Sequence, residues 1–485
     1  MPRFGLLTRT RGWFAALGLV GVVLLAQAGT AGARAVAAPS LDWPQYLYGP
    51  QHSSVSPATA FTPSNAASAT QVWHWQPPVI AGKPAPLLDA SPTVVGGVVY
   101  IGAVSGGFYA LNETTGAVVW RRQLDTEPHI TCPARGIIST AAVLPDPATS
   151  TRTVYVSGAR DLYALNAATG AVVWQTQVGP AGPTADAYYN WSSPTVAGGH
   201  IYVGLASGCD NPLIRGGVME LDQHTGRVLH TWHSVSGGSV GGSVWSSVAT
   251  SSNGSDIWVS TGNECVPTVN TCPPGSKTGN SLSIVHLSSS LKLLQAWQVP
   301  AAAGHDWDFG SSPTLFGGTG TPPEVGACNK NGRYYALTAN PLGSSPAWTD
   351  TIGASSSGIG CIASAIWNVP AGTLYVAGNA TTIGGTRYGG SIRQVNPATG
   401  SYFWQTGLPC GVIGTPTLDS AGVLAVGTYN CTAPNTPGGY LINASTGAIL
   451  TALPVGSARI FSQPVFAQGN LVVATETNGL YDFAP

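Results

Sequence analysis

Charge is what this chain has least of. Asp, Glu, Lys and Arg make up 8 % of its residues, against about 25 % in ordinary soluble domains. With 19 basic and 20 acidic residues the formal net charge is −1, so there is no basic field to gather nucleic acid or an anionic lipid surface, and those partners are not expected. Long apolar runs are scarce as well: beyond the first residues, no segment has the uninterrupted apolar length of a membrane span. There is no Cys-x-x-Cys-His for covalent haem. ECVPTVNTC is too widely spaced for a zinc knuckle, and no histidine stands at ligand spacing beside it.

What is present begins with a leader. Arg3, Arg9 and Arg11 precede an apolar run from Trp13 to Ala26, and Ala-x-Ala sites end at Ala33 and Ala37. That pattern predicts a secretory signal peptide over 1–37, hence a secreted, extracellular or periplasmic protein with no membrane span in the mature chain. The cysteines Cys132, Cys209, Cys265, Cys272, Cys328, Cys361, Cys410 and Cys431 then suit disulfides, each contributing about 2–4 kcal/mol. Cys265 with Cys272 and Cys410 with Cys431 each close a local loop and are the first pairs expected. The connectivity of the others stays open.

The dominant feature is a repeat. YALNETTGAVVW ends at Trp120, YALNAATGAVVW at Trp174 and MELDQHTGRVLHTW at Trp232, with weaker copies ending at Trp297, Trp348, Trp404 and near Leu453. The period is roughly 50–65 residues, in the range of propeller units. Each copy holds a Ser-Pro-Thr-Val type strand, a β-branched strand, an Ala-Leu-Asn strand, a Thr-Gly turn and an apolar strand ending in Trp. Four strands per unit predict an all-β, eight-bladed β-propeller of four-stranded antiparallel blades over 71–485. Seven units are complete. The last, RIFSQPVFAQGNLVVATETNGLYDFAP, offers three strands, and ATQVWHWQPP supplies the fourth, closing the ring and removing a sheet edge. Seven blades is the alternative count. Residues 38–70 are expected to be an ordered strap over the surface. The Thr-Gly is read as structural, with Gly giving a positive φ and each Trp lying between blades, its N–H on a backbone carbonyl.

In such a blade, the loop between second and third strands and the loop entering the next blade emerge on one face. Arg135, Asp210, Asn263, His305, Asp306, Asp308 and Lys330 all fall on those loops and are expected to converge on one rim. The stretch from Trp245 to Pro313 is the densest part. Oxygen donors from Asp210, Asn263 and Asp306 or Asp308 suit a hard cation such as Ca²⁺. The plain alternative for each is a solvated turn residue.

At these residues the chain resembles the pyrroloquinoline quinone (PQQ)-dependent alcohol dehydrogenases and, more closely, the polyvinyl-alcohol-dehydrogenase-like propellers. The likeness covers the mature chain through its blade motif, with more specific matches at the rim. In that family a Trp stacks on the quinone and the Asn ending a Thr-Gly-Asn run binds calcium; Trp245 and Asn263 stand in that relation. Asp210 in SGCDNPLIRGG corresponds to the family's acidic calcium ligand, with Asp where Glu is more usual. Asp306-Trp307-Asp308 resembles the family's Asp-x-Asp, which implies metal-binding roles for both acids and the catalytic base at Asp306, with His305 the lesser alternative. By the same resemblance Lys330 touches the quinone oxygens and assists catalysis, and Arg135 in CPARG pairs with a quinone carboxylate. The adjacent cysteine pair that covers one quinone face in many members is absent, with only Cys132 nearby.

The resemblance implies a secreted PQQ- and calcium-dependent alcohol dehydrogenase acting on a small or polymeric alcohol. Electrons would pass to a separate acceptor such as a cytochrome, since the chain has no haem motif. The alternatives are a non-catalytic propeller, either a protein-assembly scaffold like the outer-membrane assembly lipoproteins or an extracellular polymer or carbohydrate binder. A scaffold lipoprotein would carry a cysteine just after the leader, and none lies there.

Overall fold

The structure, a computed structural model, describes residues 40–126, 136–180, 187–300, 306–317, 323–354 and 359–485. Eight four-stranded antiparallel sheets follow one another along the chain. Seven are built from consecutive strands, over 93–123, 142–177, 195–233, 249–298, 314–351, 366–408 and 417–453, and are numbered blades 1 to 7. Blade 8 joins Val465–Ala467, Asn470–Thr475 and Gly479–Ala484 to the early strand Thr70–Trp75, with Trp73 opposite Asp482 and Trp75 opposite Leu480. The expected count and the expected closing strand are both what is found. A 3₁₀ segment, Ala66–Ser68, precedes that early strand.

The repeat motif explains how neighbouring blades lock together. In blade 2 the Asn166 carboxamide oxygen accepts the N–H groups of Ala168 and Thr169 at 3.0 and 3.1 Å, shaping the turn that Gly170 completes at φ +68°. Glycine is needed there for a second reason that its φ does not reveal: a Cβ on Gly170 would lie 2.5 Å from the ring of Trp120 of blade 1. Trp120 donates its Nε1–H to the carbonyl of Ala167 at 2.9 Å, and Trp73, Trp348 and Trp404 make the same bond to Glu113, Pro397 and Ala444. The apolar core is therefore made between sheets. Val99, Ile101 and Leu111 of blade 1, for example, pack with Val465 and Val472 of blade 8.

The residues just ahead of the innermost strands, Ser-Pro-Thr in blades 1, 3 and 5, build a second ring nearer the axis. The backbone N–H of Ser91 donates to the Thr140 hydroxyl, Thr140 to Ser193, Ser193 to Ser247, Ser247 to Ser312, Ser312 to Ser364 and Ser364 to Thr415, at 2.8–3.2 Å. Gln463 N–H of blade 8 returns to the Ser91 hydroxyl at 2.8 Å. Each link crosses from one blade to the next.

The strap does not lie over the outside. It enters the ring and bonds to the innermost strand of every blade in turn: Leu41 to Gln468, Trp43 to Val94, Pro44 to Val143, Gln45 to Val196, Pro50 to Thr250, Gln51 to Leu315, Ser53 to Trp367 and Ser54 to Leu418. Trp43, Leu47 and Ser54 are fully buried. His52 reaches the Pro313 carbonyl at 2.7 Å through Nδ1, and burial drops its pKa to about 4, so it stays neutral. Gln463 ties strap to ring, its Nε2 donating to the Ser54 hydroxyl at 3.1 Å and its Oε1 accepting from Leu47 N–H at 3.2 Å.

The tryptophan contact makes one motif position more sensitive than its sequence suggests. Gly199 also has a positive φ, +84°, but nothing lies within 4 Å of a Cβ there. Gly199→Ala is expected to cost about 1 kcal/mol for backbone strain alone, and Gly170→Ala about 2–4 kcal/mol because the Trp120 ring must also move. Equal losses in denaturant unfolding would show that the ring contact adds nothing.

Candidate functional site

The loops that precede the innermost strands and those that leave the second strands meet at the mouth opposite the strap. There they enclose a cavity of about 630 Å³, lined among others by Asp210, Trp245, Asn263, Asp306, Asp308 and Lys330. Three consecutive blades contribute: Asp210 follows the second strand of blade 3, Asn263 that of blade 4, and Lys330 that of blade 5, while Trp245 and the two aspartates lie on the loops entering blades 4 and 5. Arg135 and His305, and with them Cys132 and the leader 1–37, lie outside the described residues.

Local geometry places each group. Asp210, in the left-handed region at φ +57°, is held by Ser207, whose hydroxyl accepts its N–H at 2.7 Å and donates to its Oδ1 at 2.8 Å. Backbone bonds of Gly262 to Ser243 and of Gly242 to Asn263 fasten the Asn263 loop to the Trp245 loop. The lip is clamped by the Cys265–Cys272 disulfide. Cys410–Cys431 forms as expected, Cys328 pairs with Cys361, and Cys209 is also disulfide-bonded.

Trp245 is fixed on several sides. Its Nε1–H donates to Asp308 Oδ2 at 2.7 Å, and Lys330 Nζ stands 5.2 Å from its ring centroid. A Cβ on Gly310 would lie 2.5 Å from its Cη2, so only glycine lets the ring rest there. Trp191 meets it edge-on at 6.4 Å. Trp191 was not among the residues expected from sequence, although the signal existed: Trp191-Ser-Ser and Trp245-Ser-Ser occupy the same place ahead of consecutive blades. Below the two indoles a cavity of about 70 Å³ separates them from Tyr46 of the strap, so the channel is capped at one end and plugged at the other.

Lys330 is the electrostatic centre. Its Nζ lies 2.7 Å from Asp308 Oδ1 and 2.9 Å from Asp306 Oδ1. Burial pushes the Asp308 carboxyl up to about 6 despite Lys330, with Asp306 and Asp210 adding to the rise. Burial also works against ionised Asp306, but the Lys330 charge and the Asn263 hydrogen bond outweigh it and hold that carboxyl below its ordinary value. For Lys330 the two aspartates overcome the opposing effect of burial and raise its proton affinity.

The donor set fits a hard cation. Asn263 Nδ2 lies 3.0 Å from Asp210 Oδ2 and 2.7 Å from Asp306 Oδ1, while its Oδ1 is buried without a partner. Turning that amide over would aim three oxygens at one another, an arrangement that a bound cation satisfies and that oxygen-preferring Ca²⁺ suits. Among the described residues no three His, Cys, Asp or Glu side chains form a metal group by themselves, so the amide oxygen would be an integral ligand. Asp308 differs from the other three in being tied to Trp245 and Lys330. For a flat quinone, the fit rests on the cavity volume, the positioned Trp245 face and the neighbouring Lys330 cation.

Residues 43–263 match the family model described as the β-propeller domain of PQQ-dependent glucose, ethanol and alcohol dehydrogenases. This bears out the resemblance to the quinoprotein propellers read from the sequence; the polyvinyl-alcohol subtype is a finer matter. No curated protein matches the chain. Among solved structures, a europium-containing methanol dehydrogenase is similar at 15 % identity, covering 92 % of this chain and 98 % of that one with a TM-score of 0.74. Quinohemoprotein alcohol dehydrogenase from Comamonas testosteroni gives 17 % identity, 93 % and 81 % coverage and a TM-score of 0.69. BamB from Moraxella catarrhalis gives 13 %, 86 % and 100 %, and 0.53. At these identities the structures share the propeller fold.

The Lys330 network is testable without any ligand. Lys330→Met strands a buried carboxylate and is expected to cost about 3–5 kcal/mol, whereas adding Asp308→Asn should recover a large part of that loss. Strictly additive losses in the double variant would show that the two side chains do not depend on each other.

Proposed function

We propose that the chain is a PQQ- and calcium-dependent alcohol dehydrogenase of the polyvinyl-alcohol-dehydrogenase-like type. On this reading it works outside the cytoplasm and hands electrons to a separate acceptor such as a cytochrome. The observation that carries the proposal is the convergence of Asp210, Trp245, Asn263, Asp306, Asp308 and Lys330 from three blades on one cavity. A solvated-turn origin of these residues gives no reason for a buried lysine to stand between two aspartates beside a fixed indole.

When bound, the quinone would accept hydride from the alcohol, and calcium would withdraw charge from the quinone carbonyl. Asp210, Asn263 and Asp306 would hold the cation, with Asp308 steadying the assembly from behind through Trp245 and Lys330. Trp245 offers a flat support whose tilt is set by Asp308 and Gly310. Lys330 keeps its proton and supplies positive charge where the reduced ring would gather negative charge. Arg135 would neutralise a quinone carboxylate.

Asp306 is the residue that takes the alcohol proton. Its side chain is 61 % exposed toward the cavity, so a substrate oxygen can reach it. A carboxyl kept below its ordinary value is ionised at neutral pH and therefore ready to accept, although its low proton affinity demands direct contact. The cavity would admit a small alcohol or one segment of a polymeric one.

Titrating apo-protein with PQQ and Ca²⁺ should quench tryptophan fluorescence and establish alcohol-dependent dye reduction. Asp306→Asn is expected to lower turnover by about 10²–10⁴-fold while leaving some quinone bound. Absence of quenching at micromolar quinone would move the protein to the scaffold or polymer-binder class. Undiminished turnover in the variant would remove Asp306 from the role of base.

A further inference from the structure

Away from that cavity, on blade 6, the described part of the protein holds a buried cation without an acidic partner. Arg393 is 2 % exposed. Its Nη1 donates to the Thr351 carbonyl and to the Tyr402 hydroxyl, both at 2.7 Å, and its Nη2 donates to Thr381 Oγ1 at 2.6 Å. These are neutral oxygens, and the Nε–H is buried with no partner. None of the ion pairs among the described residues involves Arg393. Asp350, on the neighbouring outer strand, acts instead on the Tyr402 hydroxyl. Buried charges in proteins are ordinarily paired, because removing an ion from water is costly unless an opposite charge replaces the lost hydration.

Beside this guanidinium a cleft of about 470 Å³ opens between the end of blade 5 and blade 6. It exists because the second and third strands of blade 6, Thr373–Ile383 and Thr386–Val395, extend to 11 and 10 residues where other blades use five or six. Arg393 and Arg387 line it with Thr381, Tyr388, Tyr402 and Gln405, and no acidic residue does. In a chain with only 19 lysines and arginines, two of them facing one cleft free of acids is a chemical bias rather than background.

We propose that this cleft is an anion-binding site for a small molecule that presents a carboxylate or phosphate group. Arg393 sets a positive potential at the floor, where low dielectric strengthens it, and exposed Arg387 supplies a movable guanidinium at the lip. Thr381, Gln405 and the Tyr388 and Tyr402 rings offer polar and flat contacts to the rest of the ligand. The ligand supplies the direct counter-charge that Arg393, reached by Asp350 only through the Tyr402 hydroxyl, otherwise lacks.

The test is melting of the full-length mature protein in inorganic phosphate and, separately, in succinate, each against chloride at equal ionic strength. One or both anions should raise the melting temperature saturably in the millimolar range, and whichever does so names the group. Arg387→Glu, on an exposed hairpin, is expected to weaken that binding at least tenfold while keeping the near-ultraviolet circular dichroism of the wild type. The double variant Lys330→Met/Asp308→Asn, which relieves the stranded carboxylate, should retain the response, which separates this cleft from the axial cavity. The proposal is overturned if neither anion acts beyond chloride, if Arg387→Glu responds like wild type, or if the folded double variant loses the response.

Discussion

A ring of sheets has to close on itself, and in this protein closure is a matter of counting hydrogen bonds. Seven of the eight blades give one backbone donor to a hydroxyl of the blade that follows, from Ser91 round to Gln463, which returns to Ser91. A missing blade would leave a donor and an acceptor exposed on facing edges. The tryptophan contacts repeat that dependence farther out, since the indoles of Trp73, Trp120, Trp174, Trp348 and Trp404 each lie against the next blade's turn glycine. Blade identity is thus enforced by polar bookkeeping near the axis and by apolar contact toward the rim.

The site at the open mouth depends on this rigidity. Asp210, Asn263 and Lys330 come from three different sheets, so their separations are fixed by blade spacing, and only short loops remain to be ordered. What loops cannot fix, side chains do: Ser207 holds Asp210, Asp308 holds Trp245, and Lys330 joins the two aspartates. Preorganised charge of this kind is what transition-state stabilisation requires, because little reorganisation is left for the reacting moment.

Much of this could be read from the sequence because the motif is local. Asn, Thr-Gly and Trp within a dozen residues specify a turn, its φ and the indole behind it, and repetition turns that reading into a blade count. Asp210, Asn263, Asp306 and Lys330 were legible as polar residues where strands stop. The strap was not, since seven of its eight contacts are made by backbone groups and one by the Gln45 side chain, to strands scattered over the chain, and they leave no side-chain period. Trp191 shares the Trp-Ser-Ser of Trp245, but only Trp245 stands ahead of a Thr-Gly-Asn run. Arg393 looks like any residue of an alternating strand in GGSIRQV, and its burial comes from blade 5 and an overlong hairpin that no local pattern announces.

The strap's contacts have a consequence in time. Leu41 and Ser54 bond to Gln468 and Leu418, and Thr70–Trp75 pairs with Gly479–Ala484, so these early residues wait for partners made hundreds of residues later. Contacts of such sequence separation make folding slow and leave unpaired edges open meanwhile. A chain with so few charges has little repulsion to keep those edges apart, and the interval before the ring shuts is when it is most vulnerable to sticking to its own copies.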